Sequence, residues 1–129
     1  KSESPSASTE AYKIIPYVGE NVEQITSVRQ IADTLCYNYT YLSHFFARVT
    51  GITLQKYISQ KKIERARQLL KYQEFSVTEI AERLNYESVQ SFSKAFRRVM
   101  GVSPTAYLQR ERHQMEAYGE ETAQRRESQ

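Results

Sequence analysis

Basic side chains are the residues of this chain best placed to do chemistry, and they come in two clusters. Between Arg48 and Lys71 stand Arg48, Lys56, Lys61, Lys62, Arg65, Arg67 and Lys71 against the single acid Glu64, a local balance of +6. Between Lys94 and Arg112 stand Lys94, Arg97, Arg98, Arg110 and Arg112 against Glu111, a balance of +4. Residues 1–26 run the other way, with Lys1 and Lys13 against Glu3, Glu10, Glu20 and Glu23. Two separated basic clusters suit contact with phosphates at two places. On charge alone, a solvated helix face is the favoured reading. The whole-chain balance of +3 does not choose between them.

Other chemistries lack their groups. Cys36 is the single cysteine, which excludes a disulfide framework and a zinc site built on several thiolates. With no His–carboxylate arrangement beside it, Cys36 is expected to be a small buried side chain rather than a nucleophile. His44 and His113 lie 69 residues apart, and there is neither a glycine-rich phosphate loop nor a metal-ligand spacing. No enzyme activity, cofactor or metal is therefore expected.

Rigid elements must hold the two clusters, and the chain supplies them as an internal repeat. Val28, Ile31, Ala32, Leu35 and Tyr37 recur 49 residues later as Val77, Ile80, Ala81, Leu84 and Tyr86. At an offset of 50, Ser43, Phe46, Arg48, Val49, Gly51 and Tyr57 recur as Ser93, Phe96, Arg98, Val99, Gly101 and Tyr107. Each copy reads as helix–turn–helix. Ser27 with Gln30, and Ser76 with Glu79, have the spacing of a capping box. Ile31/Leu35 and Ile80/Leu84 form the apolar stripe of each first helix. Ala32 and Ala81 let a second helix cross closely. The turn requires a residue tolerant of positive φ, which suits Asn85 better than Cys36.

The second helices are predicted over about 39–50 and 88–100, stopped by Gly51 and Gly101. Their aromatics Phe45, Phe46, Phe92 and Phe96 have core spacing. A basic helix over about 54–71 joins the copies, with Tyr57, Ile58, Ile63, Ala66, Leu69 and Leu70 on its apolar face. Such a helix spans roughly 25–28 Å. Ser103-Pro104 starts one more short helix. At the other end a helix over about 10–25 carries Tyr12, Ile15, Val18, Val22 and Ile25 on one face, with Pro16 either starting or kinking it.

The fold class is thus all-α: about seven helices in two homeodomain-like helix–turn–helix subdomains joined by a linker helix. Residues 1–9 read as a polar linker, 10–72 as the first subdomain with its linker helix, 73–113 as the second, and 114–129 as a polar tail. Only 4 glycines and 3 prolines punctuate the 129 residues, too few for a many-stranded sandwich or barrel. No apolar run is long enough to span a membrane, and no secretory signal is present, which points to a reducing, cytoplasmic setting.

The second copy, IAERLNYESVQSFSKAFRRVMGVSPTAYL, resembles the signature of AraC/XylS-type transcription regulators: IA, an aromatic after the turn, F-basic-basic, then G-x-SP-x-x-Y. The middle segment YISQKKIERARQLL resembles that family's linker helix. The resemblance covers about 12–110. Two departures are the residues Lys62 and Leu108, where the family often has arginine, and a third is Cys36, where glycine is frequent.

The resemblance implies a DNA-binding domain whose recognition helices enter successive major grooves on one face of the duplex. Carried over by alignment, the base-facing positions are Thr40, Ser43 and His44 in the first copy and Val89, Gln90 and Lys94 in the second. Gln90 is able to pair with adenine N6 and N7, and Lys94 with guanine O6/N7 or a phosphate. Val89 suits a thymine methyl or a plain surface position. Thr40 and Ser43 are short, reaching near base edges or only phosphates. His44 donates or accepts once when neutral and donates twice when protonated, or is simply solvated. One of Tyr39 and Tyr41 is expected to offer its hydroxyl to a phosphate while the other packs in the core.

Phosphate contacts are expected from Tyr39, Arg48, Lys61, Lys62, Arg97 and Arg98. For the repeat-equivalent Arg48 and Arg98, an ion pair within each unit is the other reading. The resemblance further implies an activator that touches RNA polymerase, and a sensing or dimerisation domain on the N-terminal side. The linker-like start and the absence of an initial methionine fit a C-terminal fragment, expected to be monomeric by itself. The competing reading is a helical protein-interaction module that binds acidic partners through its basic faces.

Overall fold

The computed structural model describes residues 7–114, with side chains from residue 13 onward, and every regular element among them is helical. The chain-order elements are α1 (Ala7–Glu20), α2 (Val28–Thr34), α3 (Tyr39–Thr50), α4 (Leu54–Tyr72), α5 (Val77–Arg83) and α6 (Val89–Met100). A further helix, α7, starts at residue 104 and runs to the last described position, 114. The polar tail beyond it, residues 1–6 of the N-terminal linker and the Tyr12 side chain lie outside the described residues.

Local chemistry sets the helix ends. Asn38 Oδ1 accepts from the Tyr41 amide at 3.0 Å, Thr53 Oγ1 from Lys56 at 3.1 Å, and Ser88 Oγ from Ser91 at 3.1 Å. Ser103 Oγ accepts from the Ala106 amide at 3.1 Å and so opens α7 with Pro104 in its first turn. The capping box of the second copy is complete: Ser76 Oγ accepts from Glu79 N–H, and Glu79 Oε1 from Ser76 N–H. In the first copy only half forms. Ser27 Oγ accepts from Gln30 N–H at 3.0 Å, but Gln30 Oε1 is buried without a hydrogen-bond partner. A neutral amide oxygen returns less to the N-cap amide than a carboxylate does, so the cap survives on the serine alone.

Both turns close alike. Tyr37 N–H reaches back to Ala32 C=O at 2.8 Å and Tyr86 N–H to Ala81 C=O at 3.0 Å, with Cys36 (φ 62°) and Asn85 (φ 65°) left-handed between. Gly51 and Gly101, at φ 85° and 84°, end α3 and α6.

Two cores result. The first gathers Ile14, Val18, Ile25, Ile31, Ala32, Leu42, Phe45 and Phe46 around Leu54 and Ile58 of α4. The second gathers Ile80, Ala81, Leu84, Phe92, Ala95 and Phe96 around Ile63, Ala66, Leu69 and Leu70 of the same helix. α4 is a strut of 19 residues shared between two small cores, about 28 Å long at the standard rise.

Three expectations are corrected. α1 begins at Ala7, runs through Pro16 and ends at Glu20; Val22 and Ile25 bury themselves from the loop that follows. Its buried face carries Ile14 and Val18, one turn apart, while Ile15 is only partly covered. Cys36 is exposed, because a left-handed turn residue directs its short side chain away from the helices it joins.

Candidate nucleic-acid interface

In α3 the burial of Leu42, Phe45 and Phe46 turns Thr40, His44 and Arg48 outward at four-residue steps, with Ser43 half-buried beside them. In α6 the burial of Phe92, Ala95 and Phe96 likewise turns Gln90, Lys94, Arg97 and Arg98 outward. Each helix thus combines an aromatic inner face with a polar outer one. Val89 is partly buried against the second core, so its side chain already has a packing role. The expectation that one of Tyr39 and Tyr41 is core does not hold: they are 41% and 50% exposed. Tyr41 leans on Phe45 with ring centroids 5.0 Å apart. Tyr39 carries the Arg29 guanidinium 4.5 Å above its ring.

The cations differ in what they already touch. Arg48, Lys94, Arg97 and Arg98 are exposed and enter no salt bridge among the described residues, so nothing competes with an anion for them. Among the described residues neither Arg48 nor Arg98 forms the ion pair of the alternative reading. Lys61 lies 3.4 Å from Glu64 Oε1 and 5.5 Å from the Tyr57 ring, a surface pair of small worth that a phosphate would displace.

Lys62 is placed differently from the others. It is 6% exposed, with its Nζ 5.3 Å above the Tyr86 ring, and burial holds its ammonium below the ordinary 10.5. The i−4 and i+4 neighbours of Lys62 on α4, Ile58 and Ala66, face the two cores, which draws the lysine stem inward with them. Burial also raises the Tyr86 phenol above 10.0, against the pull of the Ser59 hydroxyl and of Arg98.

The two units border a cleft of about 520 Å³ lined by Arg29, Tyr39, Gln55, Ser59, Lys62 and Tyr86, among others. A second groove, about 630 Å³, brings Lys56 and Arg98 together beside Thr53, the cap of α4. Neither Arg29 nor Lys56 is among the phosphate contacts expected from the sequence. Their signals were present: Arg29 sits just inside the α2 cap, and Lys56 in the first turn of α4, where free amides already attract anions. Among the described residues no group of His, Cys, Asp and Glu is placed to hold a metal, and no helix is long and apolar enough to cross a membrane.

Comparisons with known proteins agree with this geometry. The sequence pattern of a family described as a helix-turn-helix domain matches residues 31–110. The regulatory protein SoxS of Salmonella typhimurium strain LT2 is 33% identical over 97 residues, covering 75% of this chain and 91% of SoxS. The C-terminal domain of AraT, a response regulator from Geobacillus stearothermophilus, superposes with a TM-score of 0.69 at 31% identity, over 82% of this chain and 85% of that one. The DNA-binding domain of AdpA, solved in complex with a target DNA, superposes with a TM-score of 0.72 at 23% identity, over 81% and 94%, and shows the shared fold. Several curated relatives are much longer: the chain spans 13%, 32%, 37% and 40% of their lengths.

Proposed function

This chain belongs to the AraC/XylS family of helix-turn-helix transcription regulators and binds DNA sequence-specifically, and we propose that α3 and α6 enter successive major grooves on one face of the duplex. The observation that carries this is the pair of capped helices with exposed polar faces, mounted on the two ends of one strut. Gln90 and Lys94 read base edges from α6, and Thr40, Ser43 and His44 from α3. Val89 adds an apolar edge.

Arg48, Lys61, Arg97 and Arg98 take phosphates, with the Tyr39 hydroxyl and with Arg29 and Lys56 added from their positions at helix N-termini. Lys62 is left out of that set, because an ammonium 6% exposed beneath an aromatic ring presents no face to the duplex. Contact with RNA polymerase, activation of transcription, a sensing or dimerisation domain on the N-terminal side and a cytoplasmic, nucleoid-bound location complete the reading. The greater length of several relatives supports the additional domain. The interaction-module reading is not favoured.

The test is selection of bound sequences from a random duplex pool, followed by titration of the winner at several salt concentrations. A two-part asymmetric motif with centres about 10 base pairs apart, together with a steep salt slope, is the expected result. A single short motif would mean that one helix reads bases while the other clamps the backbone. An unenriched pool would favour the interaction-module reading instead.

A further inference from the structure

The two cores share no residue, and among the described residues α4 alone contributes to both. Packing on that one helix fixes the distance between the two recognition helices, and contacts between the units outside the two cores add to what holds the rotation of one unit about it.

Glu23 is in the right place to do so. It lies in the loop between α1 and α2, in the first unit, with its side chain 18% exposed. Its two carboxylate oxygens go to different partners. Oε2 accepts from Arg65 Nε of α4 at 2.7 Å, and Oε1 forms an ion pair with Arg83 Nε at the end of α5, in the second unit, at 2.8 Å. Beside them Asn85 Nδ2 donates to the Glu23 carbonyl at 2.7 Å and to the Ile25 carbonyl at 3.4 Å. Strut, first unit and second-unit turn therefore meet at one loop.

Neighbouring contacts brace this meeting point. Asn21 bonds the end of α1 through its amide and side chain, Arg65 also reaches Gln68, and Arg83 lies 4.8 Å over the Phe75 ring. Without the carboxylate, two guanidinium groups would face the same space and repel.

We propose that Glu23 is a positioning residue: its clasp on Arg65, Arg83 and Asn85 fixes the rotation of the second helix-turn-helix unit about α4 and so sets the half-site spacing. The proposal rests on the two-groove reading. With the rotation fixed, docking of one unit delivers the other to its groove at high effective concentration; with the clasp open, that advantage falls and neighbouring spacings become acceptable. The partners of Glu23, namely Arg65, Arg83 and Asn85, include none of the outward residues of α3 or α6, so half-site preference is expected to be untouched.

The test uses the whole chain, with and without Glu23→Gln. Spin labels on the exposed Cys36 and on Glu87→Cys report the separation of the units without DNA. The clasped chain is expected to give one narrow distance distribution, and the variant a broad one. In selection from a random duplex pool, the original chain should enrich a single spacing, and the variant the same two half-motifs over several spacings. Its affinity for the original two-part site should fall by on the order of tenfold, with affinity for an isolated half-site unchanged.

Unchanged distances and an unchanged spacing preference would overturn the proposal. If the original chain enriches no two-part motif, the two-groove reading fails and the spacing role with it, and the label distances show whether the clasp nevertheless holds the units. Arg83→Gln opens the same contact from the exposed side and carries the test if Glu23→Gln does not fold.

Discussion

Cys36 and Asn85 occupy the same place in the two turns, at φ 62° and 65°, yet only Asn85 uses its side chain, donating to the carbonyls of Glu23 and Ile25 in the other unit. One backbone requirement is met twice. In the second unit it is combined with an inter-unit contact, while in the first it is met by an exposed thiol with nothing to gain from the position.

Cys36→Gly should therefore stabilise the chain. Relief of the left-handed strain, about 1–2 kcal/mol, exceeds the added freedom of the unfolded glycine, about 0.4–1 kcal/mol. Asn85→Gly gains less relief, because asparagine tolerates the left-handed region, and loses two hydrogen bonds, so it should lower stability. Thermal unfolding of both variants checks this; a lower midpoint for Cys36→Gly would mean the thiol packs.

Gln90→Ala and Lys94→Ala should each cost about 1–3 kcal/mol on the selected site and relax preference at particular base pairs. Both side chains are exposed on the outer face of α6. Competition against sites altered one base pair at a time is the measurement. A loss spread evenly over all sequences would mean that the base-reading face lies elsewhere.

Arg97→Ala and Lys62→Met should behave oppositely in salt. Arg97 is exposed and enters no salt bridge among the described residues, so its loss should weaken every duplex alike and reduce the salt slope by about 1. Lys62 is buried under Tyr86, and its loss should leave the slope unchanged. A reduced slope for Lys62→Met would put that ammonium on the duplex.

Stability should depend on alkaline pH in two opposed stages. Burial lowers the Lys62 ammonium below 10.5, so beneath that value the unfolded chain binds more protons and stability rises with pH. Tyr86 and Tyr107 are raised above 10.0, chiefly by burial and, for Tyr107, also by Glu111, so the unfolded chain loses those protons first and stability falls above pH 10. Denaturation of the original chain and of Lys62→Met across this range separates the stages. The variant should be the more stable near neutral pH, with its advantage shrinking toward pH 10. A constant difference would mean that Lys62 titrates alike in both states.

Much of the interface was legible because its signals are local. The phenylalanines of α3 and α6 recur at helical spacing, and Asn38, Ser76 and Ser88 cap the residues that follow them by direct contact. Once the inner faces are known, the outer positions of Thr40, His44, Gln90 and Lys94 follow from a period of 3.6. The Gln30 cap failed although its spacing was right, because that spacing does not report where a neutral side chain buries its oxygen. The mistaken α1 face is of the same kind: Ile14 and Ile15 are adjacent, and only the position of the first core chooses between them.

By itself, the sequence determined the repeat, the helices and the family, since each rests on residue types a few positions apart. Tertiary structure decided what distant segments do to one another. Lys62 is one basic residue among seven in its cluster, yet the arrival of Tyr86, 24 positions later, removes it from solvent. Glu23 looked like part of an acidic N-terminal stretch, yet it meets Arg65 and Arg83, 42 and 60 residues away. Both outcomes depend on the packing of two small cores on one helix, and no local pattern records that angle because many side-chain choices are compatible with each helix alone.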